Sequence, residues 1–145
     1  AMKKEYKIEF FKSVYFYVVL AIFVGQLFIS YTILISPNTQ WWYLPFFLII
    51  TIALQAFFYF YVAKLDVIIN DEKIIIKSAD KVEEAEIRNI VKIERIISWG
   101  QFIFFIYVQE NGKKRTIGFP NQVQGYQEIL DYLEQKTGLK VKWGL

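Results

Sequence analysis

The chain has 145 residues, 55% of them apolar and 19% aromatic, with a formal charge of +3 and neither cysteine nor histidine. That length holds one small domain and a little more. The two missing residue types exclude a disulfide framework, thiol chemistry, a His-Asp triad, a Cys-His pair and a His-rich metal site. Any catalysis would have to run on carboxylates, Lys, Tyr and Ser.

Ala1 reads as an addition ahead of a native start at Met2. Lys3, Lys4, Lys7 and Lys12 face Glu5 and Glu9, so residues 1–12 are net basic. This segment, 1–13, is expected to be cytoplasmic. Ile8, Phe10 and Phe11 would allow it to continue the following helix along the interface, and the residues do not decide this.

From Ser13 to Ala63 there is no Asp, Glu, Lys or Arg. Polar residues Ser36, Pro37, Asn38, Thr39 and Gln40 divide the run into spans at 14–35 and 42–62, joined by a turn at 36–41. Each span has about 20 residues, enough at ~1.5 Å per residue to cross a ~30 Å hydrocarbon core. A helical hairpin also satisfies its own backbone groups, as lipid demands. The first span is too long for a signal-peptide core and lacks a small-x-small cleavage site before Pro37, so it reads as a retained anchor. Lysines lie before span one and, at Lys64, directly after span two, while the turn is uncharged. The positive-inside rule therefore predicts both termini in the cytoplasm and the turn outside. Aromatic residues mark the inner interface (Tyr15, Phe16 and Tyr17; Phe58 to Tyr61) and, as membrane anchors, the outer one (Trp41, Trp42 and Tyr43). Pro45 falls in the first turn of span two, where a missing N–H is tolerated. Gln26 and Ser30 on span one, and Thr51 and Gln55 on span two, are each spaced i,i+4. They are candidates for hydrogen bonding across the hairpin or between copies, or for a polar seam lining a pore. The absence of intramembrane charge weakens the pore reading.

The remaining residues, 64–145, carry 13 bases and 12 acids. That near-neutral balance gives no reason to expect nucleic acid as a partner. Leu65–Ile69 and Lys73–Lys77 read as a strand pair around an Asn70-Asp71-Glu72 turn, and Val82–Glu86 as a third strand. Through Ile97 the apolar pattern is mixed, and strand and helical turn stay open. Trp99-Gly100 reads as a bend with the indole packed against the domain, while Trp143 is left open between core and interface. Phe102–Gln109 is the clearest strand, and Asn111-Gly112 is a strong hairpin signal before Arg115–Phe119. Asn121 is a candidate helix cap. Val123, Tyr126, Ile129, Leu130 and Leu133 recur at helical spacing up to a stop at Gly138. The expected fold is a membrane helical hairpin plus a small α+β domain of antiparallel strands with one C-terminal helix.

Three candidate surfaces stand out. Lys113, Lys114 and Arg115 at the hairpin are candidates for contact with anionic headgroups; a solvated tip is the plainer reading. Glu83, Glu84 and Glu86 form an acidic run, read as a solvated strand edge because no partner for catalysis or metal accompanies it. In the Phe102–Val108 strand both faces are apolar, so Ile103, Phe105 and Tyr107 are expected to be covered or to face a partner subunit or the bilayer.

Ile68–Asp71 leading to Ile74-Ile75-Ile76, then the Ile87-x-x-Ile90-x-x-Ile93 spacing, and Gly118-Phe119-Pro120 leading into the last helix, resemble the bacterial membrane-anchored PH-like proteins, especially the YcxB-like group. Ala85-Glu86 departs from that pattern, which often has Trp before the charged residue. The resemblance implies a PH-like fold, placement in the bacterial inner membrane, self-association and no established enzyme activity. The combined expectation is a non-enzymatic binding or scaffolding protein without cofactor, metal or catalytic residues. Its partners would be membrane lipid and a second copy or another membrane protein. The alternative is an oligomeric pore-forming effector with the cytoplasmic domain as platform.

Overall fold

The computed structural model describes residues 3–36 and 41–144. The expected turn residues 37–40 and the Ala1-Met2 start lie outside the described residues. The described chain forms two compact units: residues 10–63, and residues 3–9 together with 64–144.

The first unit is a helical hairpin. A 3₁₀ turn, Phe10–Lys12, precedes α1 (Val14–Ile35). The second helix, α2 (Tyr43–Phe57), continues through a π-helical turn, Phe58–Val62. Both spans, Val14–Ile35 and Tyr43–Val62, are long and apolar enough to cross a membrane. They end where the sequence turns polar or charged, at Ser36 and Lys64.

The second unit is built from two antiparallel sheets and a helix. Its first strand, β1 (Lys3–Lys7), precedes the hairpin in sequence. The strands β2 (Leu65–Asn70), β3 (Lys73–Ser78) and β4 (Val82–Glu86) follow it, and the sheet order is β1-β2-β3-β4. Lys3 pairs with Asn70 and Lys7 with Asp66. The segment 1–13 is therefore not a separate tail: five of its residues are the edge strand of the domain. Only Tyr6 and Ile8 carry apolar bulk toward the core, and the intervening lysines and Glu5 leave no strand pattern to read. Charge on β1, and the three glutamates on β4, guard both edges of the sheet against further pairing.

A 3₁₀ turn, Ile87–Asn89, leads to β5 (Ile90–Ser98), β6 (Gln101–Glu110) and β7 (Lys113–Pro120). A bulge between Ile90 and Lys92 explains the mixed apolar pattern there, because one extra residue shifts the period-2 alternation. The helix α3 (Tyr126–Thr137) follows, then β8 (Lys142–Trp143), which pairs in parallel with β5. α3 starts later than the apolar spacing predicts. Gly125, at φ +81°, is its N-cap, and Val123 instead bridges to Ile8 ahead of it. Gly138, at φ +73°, ends the helix and donates its N–H to the Glu134 carbonyl at 2.8 Å.

The sheets and α3 enclose one core. Val67, Ile74, Phe104, Ile106, Phe119, Ile129 and Leu133 are essentially sealed from solvent. Each such side chain contributes roughly 1.5–3 kcal/mol relative to an exposed position.

Candidate functional site

Four of the singled-out polar residues lie in the hairpin. Gln26 Nε2 donates to Thr51 Oγ1 at 2.6 Å, and the Gln26 and Gln55 side-chain amides exchange hydrogen bonds, each Nε2 donating to the other's Oε1 at 3.3 Å. Gln55 Nε2 also reaches the Val19 carbonyl at 3.4 Å, and Thr51 Oγ1 donates to the Phe47 carbonyl at 2.9 Å. Gln26 is only 8% exposed. The amides thus satisfy one another within a single chain, between α1 and α2. Ser30 is half-buried and takes no part in these bonds. At the start of α2 Trp41, Trp42 and Tyr43 are all exposed, with the Trp42 and Tyr43 rings 4.0 Å apart.

In the β domain, one end gathers the chain's two connections to the hairpin. Ile8 N–H bonds the Leu65 carbonyl at 3.3 Å, so the strand leading out and the strand coming back are adjacent. Gln124 N–H bonds the Lys7 carbonyl at 2.9 Å, and Ile8 bridges Val123, which brings the loop before α3 to the same end. Asn121 N–H bonds the Phe102 carbonyl at 2.8 Å, adding the start of β6. A groove of about 360 Å³ opens here, lined by Leu65, Ile76, Ile103, Phe105, Gly118 and Pro120. Ile103 and Phe105 are half-buried in it, as is Tyr107 on the same face of β6. Gly118 admits the Phe105 ring, because a Cβ there would lie 3.0 Å from the Phe104 carbonyl oxygen and 3.1 Å from Phe105 Cδ1. Tyr107 donates its hydroxyl to Glu94 Oε2 at 2.8 Å, and Glu94 also pairs with Lys92. Those two partners hold the Glu94 carboxyl below the usual range, Lys92 having the larger effect.

The turn joining β5 and β6 projects from the same end. Trp99 does not pack against the domain, as its position in the sequence suggests: it is 96% exposed. It sits at φ +52°, followed by Gly100 at φ +75°. These values match Asn111 and Gly112 in the β6–β7 turn, also +52° and +75°. The strand register pairs Ser98 with Gln101 and leaves two turn residues. Only a two-residue turn with left-handed dihedrals closes such a hairpin, so the side chain must point away from it. Behind the turn, the Arg95 guanidinium lies 5.1 Å from the Trp143 ring, 5.4 Å from Phe104 and 5.6 Å from Phe102. Its Nε is buried without a hydrogen bond. Sequence reading passed over Arg95. In the sequence it merely follows Glu94 at the edge of an uncharged run, 96–109.

The basic residues occupy the opposite end. Lys113, Lys114 and Arg115 begin β7 beside Asn111-Gly112, the full length of β6 from Trp99. Ten strand residues span about 33 Å. Arg115 bonds the Glu84 carbonyl and approaches the Glu110 carboxylate at 3.4 Å. The Asn89 hydrogen bond first, then the Arg115 charge and hydrogen bond, hold the Glu110 carboxyl below its usual range. The acidic run is consumed in ion pairs: Glu83 with Lys81 at 2.7 Å, Glu84 with Lys73 at 2.7 Å and Glu86 with Arg88 at 2.6 Å. Among the described residues no cluster of His, Cys, Asp or Glu could hold a metal ion.

Tyr6 fixes β1 to α3. Its hydroxyl donates to Glu128 Oε2 at 3.1 Å, and burial first, then Glu128, pushes its pKa up. A Cβ at Gly125 would come within 2.8 Å of the Tyr6 ring, so the glycine serves this contact as well as its positive φ. No family model, no curated protein and no solved structure matches the chain.

Proposed function

We propose that the chain is a membrane-anchored binding or scaffolding module: a two-span hairpin carrying one PH-like domain that meets a partner at the membrane face, without catalysis. The pairing of β1 with β2 carries this reading. The hairpin is inserted between two neighbouring strands of one sheet, so both of its ends start from one end of one folded domain. An even number of crossings is the only membrane arrangement compatible with that connection. Cleavage after α1 would also discard β1, which argues for a retained anchor.

Lipid is the solvent that suits the hairpin. Large apolar side chains point outward on both helices, with Phe28 71% and Ile49 65% exposed. Its few polar side chains pair with one another. Two antiparallel sheets with a C-terminal helix are compatible with a PH-like domain. The lysines around the hairpin favour the cytoplasm of a bacterial inner membrane as the domain's side. Lys113, Lys114 and Arg115, a long strand away from the hairpin connections, suit a protein partner or a solvated tip better than the lipid of the same membrane. The amide cluster disfavours a pore, since its hydrogen bonds are already satisfied within one hairpin.

The test is purification of the full chain from native membranes in mild detergent, followed by mass measurement. A defined oligomer or a stoichiometric partner supports the proposal. A monodisperse monomer lacking any companion, from membranes where the protein is functional, contradicts it.

A further inference from the structure

We propose that the Trp99-Gly100 turn is a third membrane contact, with the Trp99 indole seated in the interfacial layer of the bilayer that the hairpin crosses. This rests on the membrane reading above and adds a lipid-contacting residue to it.

Three independent observations converge on the turn. The first is placement. Hydrogen bonds link the start of β6 to Asn121, the following loop to Lys7, and Ile8 to Leu65. The turn therefore projects from the end of the domain at which the chain departs for the hairpin and returns from it. Chain continuity keeps that end at the membrane surface. The second is the identity of the side chain. The β6–β7 turn has the same dihedrals and uses Asn, which tolerates them. Trp at φ +52° is a strained choice that the turn itself does not need. Nor does the core need it, because Trp99 is 96% exposed. The third is electrostatic. Residues 96–109 carry no charge, so both arms of the hairpin can approach headgroups without desolvating an ion. In sequence the nearest charge is a cation, Arg95, held among aromatic rings with an unbonded Nε. Ile97, 65% exposed, and Trp143, 65% exposed, extend the apolar surface beside it.

A lipid interface fits this feature better than a protein surface does. The turn is a convex projection with one aromatic at its tip, not a flat patch. An indole has an apolar body and a single N–H, which suits a layer that is apolar on one side and wet on the other. The consequence is orientation. Two covalent connections and one inserted side chain give the domain three attachments at that end.

Tryptophan fluorescence of the full chain in lipid nanodiscs tests this, because the chain has four tryptophans that can be isolated. Trp41→Phe/Trp42→Phe/Trp143→Phe leaves Trp99 alone; Trp41→Phe/Trp99→Phe/Trp143→Phe leaves Trp42 alone. Each is read against phospholipid brominated on its acyl chain, and against aqueous acrylamide. The expected result is that Trp99 emission shifts to the blue, loses most of its intensity to brominated lipid and resists acrylamide. Emission typical of water, quenched by acrylamide, overturns the inference while a lipid-quenched Trp42 leaves the membrane reading intact. Trp99 shielded from both quenchers overturns it in favour of a protein contact. If neither tryptophan responds to brominated lipid, the membrane reading falls with it.

Discussion

Trp99 shows how one residue's backbone separates local demand from function. Its φ of +52° is left-handed, where a bulky side chain is strained by about 1–3 kcal/mol. Asn at the same position of the other hairpin avoids most of that strain. Trp99→Asn is therefore expected to stabilise the β domain by about 0.5–1 kcal/mol, read as a raised urea midpoint of the full chain in detergent. No change, or a loss, would mean that contacts of the indole, with detergent or with the domain, offset the strain. The sequence shows Trp-Gly but not which way the indole points. That depends on two-residue closure, and the Ser98-to-Gln101 register exists only in three dimensions. Arg95 was unreadable for a similar reason, since its aromatic cage draws on β6 and β8, far apart in the chain.

At the scale of elements, the two apolar spans were legible because lipid imposes a length and forbids charge, and both constraints are one-dimensional. Gln26, Thr51 and Gln55 were visible as polar interruptions; their partners in the same hairpin were not, because helix rotation decides whether they meet. Removing one member leaves buried amide groups behind. Gln26→Leu is expected to weaken the α1–α2 contact by about 0.6 kcal/mol, with ~1.7 as a ceiling. In a cycle with Gln55→Leu, steric-trap unfolding in bicelles should find the double variant less destabilised than the sum of the singles. Strict additivity would show that the amide pair has no energetic coupling. In the β domain, acid provides a second check. Glu94 and Glu110 have folded pKa values below their unfolded ones, so their stabilisation is present above the ordinary Glu value of about 4.3 and disappears as pH falls through the depressed one. Acidification below about pH 4.3 should therefore erode thermal stability, and Glu94→Gln should lower the neutral-pH plateau and flatten that limb, the two proteins converging in acid. An acid limb of unaltered slope in Glu94→Gln would assign the loss to other carboxylates. β1 was illegible because Lys3–Lys7 alternates charge with charge and shows a single apolar residue, Tyr6. Its strand identity comes from the exposed edge of β2, not from its own propensity.

At the scale of the molecule, the account rests on connectivity. One domain is interrupted after its first strand by an apolar hairpin, and the interruption begins and ends at neighbouring residues, Ile8 and Leu65. The sequence places a boundary between 13 and 14 and reads what lies before it as a separate cytoplasmic segment. Pairing in the sheet assigns part of that segment to the domain and ties together the sidedness of the segments before and after the hairpin. Because the chain has no cysteine, each introduced thiol is the only one present. The most direct measurement is labelling of Glu5→Cys, Ser36→Cys and Lys113→Cys, one at a time, with a membrane-impermeant maleimide on intact spheroplasts and again after permeabilisation. The account predicts that Glu5→Cys and Lys113→Cys react only after permeabilisation, and that Ser36→Cys reacts before it. Labelling of Glu5→Cys and Lys113→Cys from opposite sides, or of all three from one side, would contradict a two-span hairpin carried by a single domain.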